Sequence, residues 1–438
     1  MSTVVVGGGL SGLVCGAVLL RKGEDVAVLD EADRPGGVVR TERRNEYLLE
    51  MGPNTVRPTA ELWDLVVELG LEKEALLSDP RATRFVDFGG RRQAIPMSPA
   101  ALATTRLLSV GGKLRLFAEP FVPRSRLSEE SVEDFFARRL GPQVSQRFVG
   151  PFVSGIFAGD ASRLSVEGCF PMLARWEKEH GGILRGALAA RRGPHTRKAP
   201  VKGLLSFREG LETLPRALAA RLGDRLRRST RVETLRRSTD RWTVCTASGD
   251  LAASRVVLAT SAPRAAALLG QACPSAARAL STIPHPPLAV LHLSWPVEAF
   301  PEPLTGFGHL VVPQSGRRIL GAVYSSSLFA GRAPEGRTLL TVFVGGSRDP
   351  EAVGLSDSAL VETASRDLAA VLSVRGAPQA IGVTRYKQAL PQYELGHLDR
   401  MRALDDAERA CPGLTLLGNY RGGVSVGDVV LNAVRTAA

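Results

Sequence analysis

Apolar positions recur along this chain with two different periods, and the changes of period divide it into regions. Residues 3–6 (TVVV) are an unbroken β-branched run, the pattern of a strand buried on both faces. A glycine turn follows, then small and apolar residues at helical spacing through Gly16. Asp25 to Leu29 (DVAVL) predict a second strand, ending at Asp30. This is a β-α-β unit in about thirty residues. The acidic, leucine-rich run from Glu61 to Leu77 predicts a helix, and Arg84–Asp87 and Ala94–Ile95 predict short strands around a Gly89-Gly90 turn. Residues 97 to about 195 carry helical patterns with few strand signals. Beyond Pro200 alternation returns, with strands around a Ser248-Gly249 turn and several period-two strands between Leu288 and Phe343. The last segment is a strand at Leu414–Leu417, then glycines, then a helix from near Asp428. There is no internal repeat. The interleaving predicts one nucleotide-binding domain assembled from discontinuous pieces, with two insertions.

Length and composition narrow the class. A chain of 438 residues is about three domains at ~150 residues each, enough to bury a core without disulfides or metals. With 44% hydrophobic and 23% charged residues it is neither a disordered nor a fibrous sequence. No apolar run approaches the ~20 residues of a spanning helix. The strand pattern begins at Thr3, so no cleaved leader is expected. Cys15, Cys169, Cys245, Cys273 and Cys411 are scattered and form no C-x-x-C pair, which points to a reducing compartment and away from zinc or iron–sulfur clusters. The net charge is 56 − 44 = +12, and residues 175–241 hold 18 basic and 7 acidic side chains, 18 − 7 = +11 of it. Such a stretch suits an anionic surface or an acidic substrate. Nucleic acid is not expected, because interleaved aromatics and a nucleic-acid motif are missing. The plain alternative is a solvated arginine-rich surface.

The candidate chemistry begins at Gly7, Gly9 and Gly12, a G-x-G-x-x-G string between strand and helix, with Gly16 one turn on. The first glycine permits the tight turn, the second lets the backbone approach a pyrophosphate, and the third lets helix press on strand. The helix N-terminus offers free N–H groups and a positive dipole to phosphates. Asp30 ends the second strand, where a carboxylate accepts ribose hydroxyls. Arg34, Gly36, Gly37 and Arg40 follow, and this D-x-x-x-R-x-G-G string resembles the second motif of the flavoprotein amine-oxidase superfamily, whose arginine and glycines serve FAD. The closing string Leu417-Gly418-Asn419-Tyr420, with Gly422, Gly423 and Val424, is similar to that superfamily's flavin-contacting element. The resemblance implies FAD as cofactor, held by Gly7, Gly9, Gly12, Asp30, Arg34, Gly36, Gly37, Val232, Gly418, Asn419 and Val424.

Further strings occur in order: Glu50-Met51-Gly52-Pro53-Asn54-Thr55, Arg84-Phe85-Val86, Pro151 to Asp160 (PFVSGIFAGD), Gly306-Phe307-Gly308, Phe343-Val344-Gly345-Gly346 and Pro391 to His397 (PQYELGH). Together they resemble the protoporphyrinogen oxidases of haem biosynthesis, nearly end to end. The fold implied is α/β (α+β overall). It joins a Rossmann-like FAD-binding domain (1–80, 200–275, 405–438), a mixed-sheet substrate domain (81–96, 276–404) and a helical membrane-associating domain (97–199). The reaction implied is six-electron oxidation of protoporphyrinogen IX in three two-electron steps, with hydride passing to flavin, molecular oxygen as acceptor and peroxide as by-product. Coproporphyrinogen III, with four propionates, is the alternative substrate, and a non-catalytic flavin or porphyrin carrier is the second alternative.

By position, Arg84 matches the family's propionate-pairing arginine, a role a bidentate guanidinium suits. Phe343 matches the aromatic stacked on a pyrrole, Leu310 and Val323 the aliphatic pair around another, Gly155 the backbone facing the reacting edge, and Asn54 a polar group near flavin and substrate. Otherwise Arg84 would be an ordinary strand-surface arginine, Phe343, Leu310 and Val323 core residues on alternating strands, and Gly155 a helix break. No residue is assigned as catalytic acid or base, since hydride transfer to flavin needs none. The six histidines, His180, His195, His285, His292, His309 and His397, share no metal spacing and are taken as structural, with no metal expected. The partners implied are a porphyrinogen, oxygen, a membrane surface held peripherally on its cytoplasmic side, ferrochelatase for product hand-over, and a second copy in a homodimer.

Overall fold

A computed structural model describes residues 3–192, 197–238 and 241–438, so His195 lies outside the described residues. The opening β-α-β unit is β1 (Thr3–Val6), α1 (Leu10–Arg21) and β2 (Val26–Leu29). β1 and β2 join a five-stranded, all-parallel sheet ordered Leu414–Leu416, Arg255–Leu258, β1, β2, Leu226–Arg227. Every residue of β1 and β2 is buried, as continuous β-branched runs demand in a sheet covered on both faces. On one face α1 packs with the helices Thr213–Leu222 and Val426–Ala437, through Leu13, Val14, Val18, Leu218, Val430 and Ala433. On the other, Val4, Val6, Val256 and Leu258 meet Trp242, Leu268, Leu280 and Leu404.

The second large sheet has seven strands, ordered Gln379–Tyr386, Leu288–Ser294, Leu340–Gly345, Ile319–Val323, Gly308–Val311, Arg84–Phe88, Arg91–Ala94. It is antiparallel except where Gly308–Val311 runs parallel to Arg84–Phe88. One face is a dry core of Leu291, Leu293, Ala322, Val342 and Val344 against Leu360, Ala364 and Leu368 of the helix Asp357–Leu372. The Gly89-Gly90 turn forms as expected, both glycines at positive φ (+66° and +73°) as a two-residue hairpin requires.

The helices of residues 99–192 gather around Phe135, Phe136, Val153, Phe157 and Leu164. Their frame is ionic: Arg139, fully buried, pairs with Glu119, which also accepts the N–H groups of Ile183 (2.7 Å) and Leu184 (3.1 Å) at the start of the helix Ile183–Arg192. No helix among the described residues is long and apolar enough to cross a membrane.

One expected element is corrected. The predicted helix from Glu61 to Leu77 is a helix only over Ala60–Glu68, and Ala75–Leu77 is a strand paired antiparallel with Leu205–Phe207. The Thr59 hydroxyl caps its start by accepting from Leu62 N–H (3.2 Å), and Gly70 (φ +68°) takes the left-handed turn that ends it. The apolar run beyond is recruited by a distant strand edge, which local periodicity does not register.

Candidate active site

The glycine loop is built by close contacts. Gly7 leaves β1 at φ +111°, its N–H donating to Leu29 O (2.8 Å). A Cβ on Gly12 would overlap the Gly7 carbonyl, whereas one on Gly9 would meet nothing within 4 Å. Gly9 is the N-cap of α1 and supplies no side-chain cap, so the first-turn N–H groups have no side-chain partner at the cap. The Asp30 carboxylate accepts from Gly8 N–H and from Ala32 N–H (2.8 Å), and burial raises its pKa above the usual carboxylate value against those two bonds. Gly36 N–H donates to Gly8 O (2.8 Å), laying the second glycine pair on the first. Arg34 donates to Gly37 O (3.0 Å), while its Nη1 is buried with no partner among the described residues. Val232 heads the strand Val232–Arg237, its carbonyl accepting from Arg264 (2.8 Å).

The closing segment reaches this loop through the sheet. Leu417 N–H donates to Leu258 O (2.9 Å), which sets Gly418 beside Thr260. One residue holds the rest. The Tyr393 hydroxyl donates to Asn419 O (2.6 Å) and accepts from Gly423 N–H (3.0 Å), while its ring stacks on His397 at 4.0 Å and 12°. Burial raises the Tyr393 pKa, so the hydroxyl keeps its proton. Its neighbour Gln392 donates to Phe157 O (2.9 Å) at the end of the helix Gly150–Phe157. Val424 packs on the helical cluster that contains Phe157.

The substrate candidates converge on the second face of the seven-stranded sheet. Directly paired residues share a face, and the register pairs Arg84 with Gly308, Gly308 with Val323, Leu310 with Gly321, and Gly321 with Phe343. Arg84, Leu310, Val323 and Phe343 therefore stand on one face, opposite the dry core, and all four are half-buried. The helix Gly150–Phe157 crosses above so closely that a Cβ on Gly155 would overlap Leu310 Cδ2. A π-helical turn, Ser145–Val149, precedes it, where Pro151 supplies no N–H to continue the ladder. The Arg84 guanidinium lies 5.5 Å from the Phe307 ring centroid and meets no carboxylate among the described residues. Asn54 bonds to Gly52 O (3.1 Å) and lines a small cavity with Val323, Glu50 and Arg332.

Sequence reasoning quoted Tyr393 only as part of a string, and overlooked Tyr386, whose hydroxyl donates to Met51 O (2.9 Å) beside Phe343. The buried pair Glu50–Arg332 (3.9 Å) was missed as well. Charged residues inside otherwise apolar strings were the available signal. The histidines His292, His309 and His397 are buried and their pKa values fall to about 4, 3 and 4, so they are neutral.

The chain belongs to the flavin containing amine oxidoreductases, whose family model matches residues 10–438. It is an FAD-dependent oxidoreductase. The uncapped helix, the open approach to Gly9 and the unpartnered Arg34 nitrogen fit an anionic dinucleotide. Among its relatives are the chloroplastic protoporphyrinogen oxidase of Nicotiana tabacum, 36% identical and covering 100% of this chain and 85% of that protein, and the protoporphyrinogen oxidase of Bos taurus, 34% identical and covering 100% and 98%. These full-length matches put the chain in the protoporphyrinogen oxidase branch of the family. Similar solved folds include an Exiguobacterium protein (TM-score 0.82, 24% identity, 100% of this chain and 97% of that one) and a reduced UDP-galactopyranose mutase (TM-score 0.75, 14% identity, 100% and 93%).

Proposed function

We propose that this protein oxidises protoporphyrinogen IX to protoporphyrin IX with oxygen as the final acceptor, the product bound for haem. The carrying observation is the shared sheet face. An arginine that meets no carboxylate among the described residues, two aliphatics and an aromatic stand together under a helix whose glycine allows close approach. That is the lining a flat apolar macrocycle with propionate arms requires. In this reading Arg84 grips a propionate, Phe343, Leu310 and Val323 flank the pyrroles, the Gly155 backbone faces the reacting carbon, and Asn54 orients the edge near the flavin. FAD, held by the Gly7–Gly12 loop, Asp30, Arg34, Gly36, Gly37, Val232, Gly418, Asn419 and Val424, supplies the hydride acceptor when bound. The chain's own residues position the substrate and exclude water. The two sheets and the helices correspond in this reading to a FAD domain, a substrate domain and a membrane-associating domain.

The helical region supports peripheral membrane contact. Val110, Leu114 and Phe117, on one face of the helix Val110–Phe117, are 75%, 66% and 65% exposed, and Phe121 is 85% exposed. Lys113, Arg115, Arg124 and Arg126 lie among them in sequence, the mixture an interfacial surface needs.

The test is aerobic turnover of the purified yellow protein with protoporphyrinogen IX and, separately, coproporphyrinogen III, followed by porphyrin fluorescence. A higher kcat/KM for protoporphyrinogen supports the reading. A preference for the four-propionate substrate, or bound flavin without turnover, overturns it.

A further inference from the structure

We propose that Cys273 and Cys411 form a peroxide-sensitive dithiol, convertible to an intramolecular disulfide at the base of the segment that leads to Gly418–Val424. The five cysteines are scattered in sequence, yet the fold sets these two, 138 residues apart, with their sulfurs 2.8 Å from each other. A disulfide bond is about 2.05 Å long, so a movement of roughly 0.8 Å closes it. Both are free thiols in the structure. Cys273 immediately precedes the helix Pro274–Ser281 and Cys411 immediately follows the helix His397–Ala410, positions where a side chain shifts without breaking a helical ladder. Both sit at the margin of the core beside Ala276, Leu280 and Leu414, and the Arg237 guanidinium lies next to Cys411, donating to Ala410 O (2.9 Å).

Burial dictates the oxidant. Cys273 and Cys411 are 2% and 6% exposed, so bulky thiol reagents and glutathione are excluded, and a small neutral peroxide is the class that can enter. One thiol sulfur attacks a peroxide oxygen, the O–O bond breaks, and a sulfenic acid and water form. The second sulfur then displaces that hydroxyl as water, with loss of its proton. The sum is two thiols plus hydrogen peroxide giving one disulfide and two waters, two electrons passing from the sulfurs to the peroxide. Burial pushes the Cys411 thiol up as well, to about 11, so what sets the pair apart from Cys15 and Cys169, both at about 12, is the facing sulfur and not acidity.

The bond would staple the end of the helix His397–Ala410 to the nucleotide-binding region. Glu408, one turn before Cys411, already accepts Leu416 N–H (2.6 Å) and pairs with Arg421 (2.9 Å). Closing so long a loop raises the unfolding temperature, here by about 3 °C or more.

The reduced holoprotein is treated with a small excess of hydrogen peroxide, then unfolded in denaturant, alkylated, digested and mapped by mass spectrometry. A linked peptide pair containing Cys273 and Cys411, two hydrogens lighter and released by dithiothreitol, is expected. The matching rise in unfolding temperature should vanish in both Cys273→Ser and Cys411→Ser but persist in Cys169→Ser. Full alkylation of both thiols after peroxide, sulfinic acid at either without a link, or a rise retained in Cys273→Ser overturns the proposal. The wild-type map decides even where a serine variant fails to fold, and because peroxide is added directly, the result is independent of the substrate assigned above.

Discussion

Removing the single oxygen of Tyr393 tests how the closing segment is held. The side chain is 2% exposed, and Tyr393→Phe keeps the ring and its stack on His397 while deleting the hydroxyl. Two hydrogen bonds go with it, to Asn419 O and from Gly423 N–H. Each is worth about 0.5–1.5 kcal/mol net, and each partner left unpaired costs about 1–3 kcal/mol if water cannot reach it. Because both partners are half-buried, a combined loss of about 2–4 kcal/mol is expected. If the segment must be ordered to hold FAD, that loss appears in flavin affinity, where about 1.4 kcal/mol is tenfold. The variant should therefore release FAD about thirtyfold to several hundredfold more readily, measured by the recovery of free-flavin fluorescence on dilution. Its unfolding temperature with bound FAD should fall by several degrees. A variant that binds FAD as tightly as the parent, and unfolds within about 1 °C of it, refutes the reasoning.

Arg84→Ala should lower kcat/KM for protoporphyrinogen by about 10- to 150-fold through the lost charge-assisted contact, with the unfolding temperature nearly unchanged because Arg84 is half-buried and breaks no ion pair among the described residues. Equal kcat/KM would rule out Arg84 as the propionate anchor. Gly12→Ala places a methyl group into the Gly7 carbonyl, so the purified variant should be colourless, its visible flavin absorbance absent. Retention of full flavin content would contradict the loop geometry. Glu50 carries the pH prediction: burial lifts its carboxyl to about 7, opposed by Leu211 N–H, the Thr41 hydroxyl and Arg332. Its folded pKa lies above the unfolded value, so its stabilisation is complete below about pH 4.5 and is lost as pH rises through about 7, by at most about 3 kcal/mol. Unfolding temperatures at pH 5 and pH 8 should therefore differ less in Glu50→Gln than in the parent, and an identical difference would show that Glu50 is ionised throughout.

Much of the nucleotide-binding loop was legible in the chain because its determinants are local. A β-branched run, a glycine whose φ is positive and an acid at the end of the next strand act within thirty residues of one another, through short-range sterics. The string around Tyr393 was visible too, but its task was not, since the two backbone groups it joins lie 26 and 30 residues further on.

The sequence by itself determined the opening strand–glycine turn–helix–strand unit and the Gly89-Gly90 turn, because periodicity and the steric freedom of glycine need no distant partner. Tertiary structure alone decided that Arg84 shares a face with Leu310, Val323 and Phe343, since its strand takes its register from Gly308–Val311, more than two hundred residues away. It also cut the helix expected over Glu61–Leu77 at Gly70 by offering Ala75–Leu77 a strand partner, and it brought Cys273 to Cys411. In each case burial against a remote surface outweighs a local preference worth less than about 1 kcal/mol per residue.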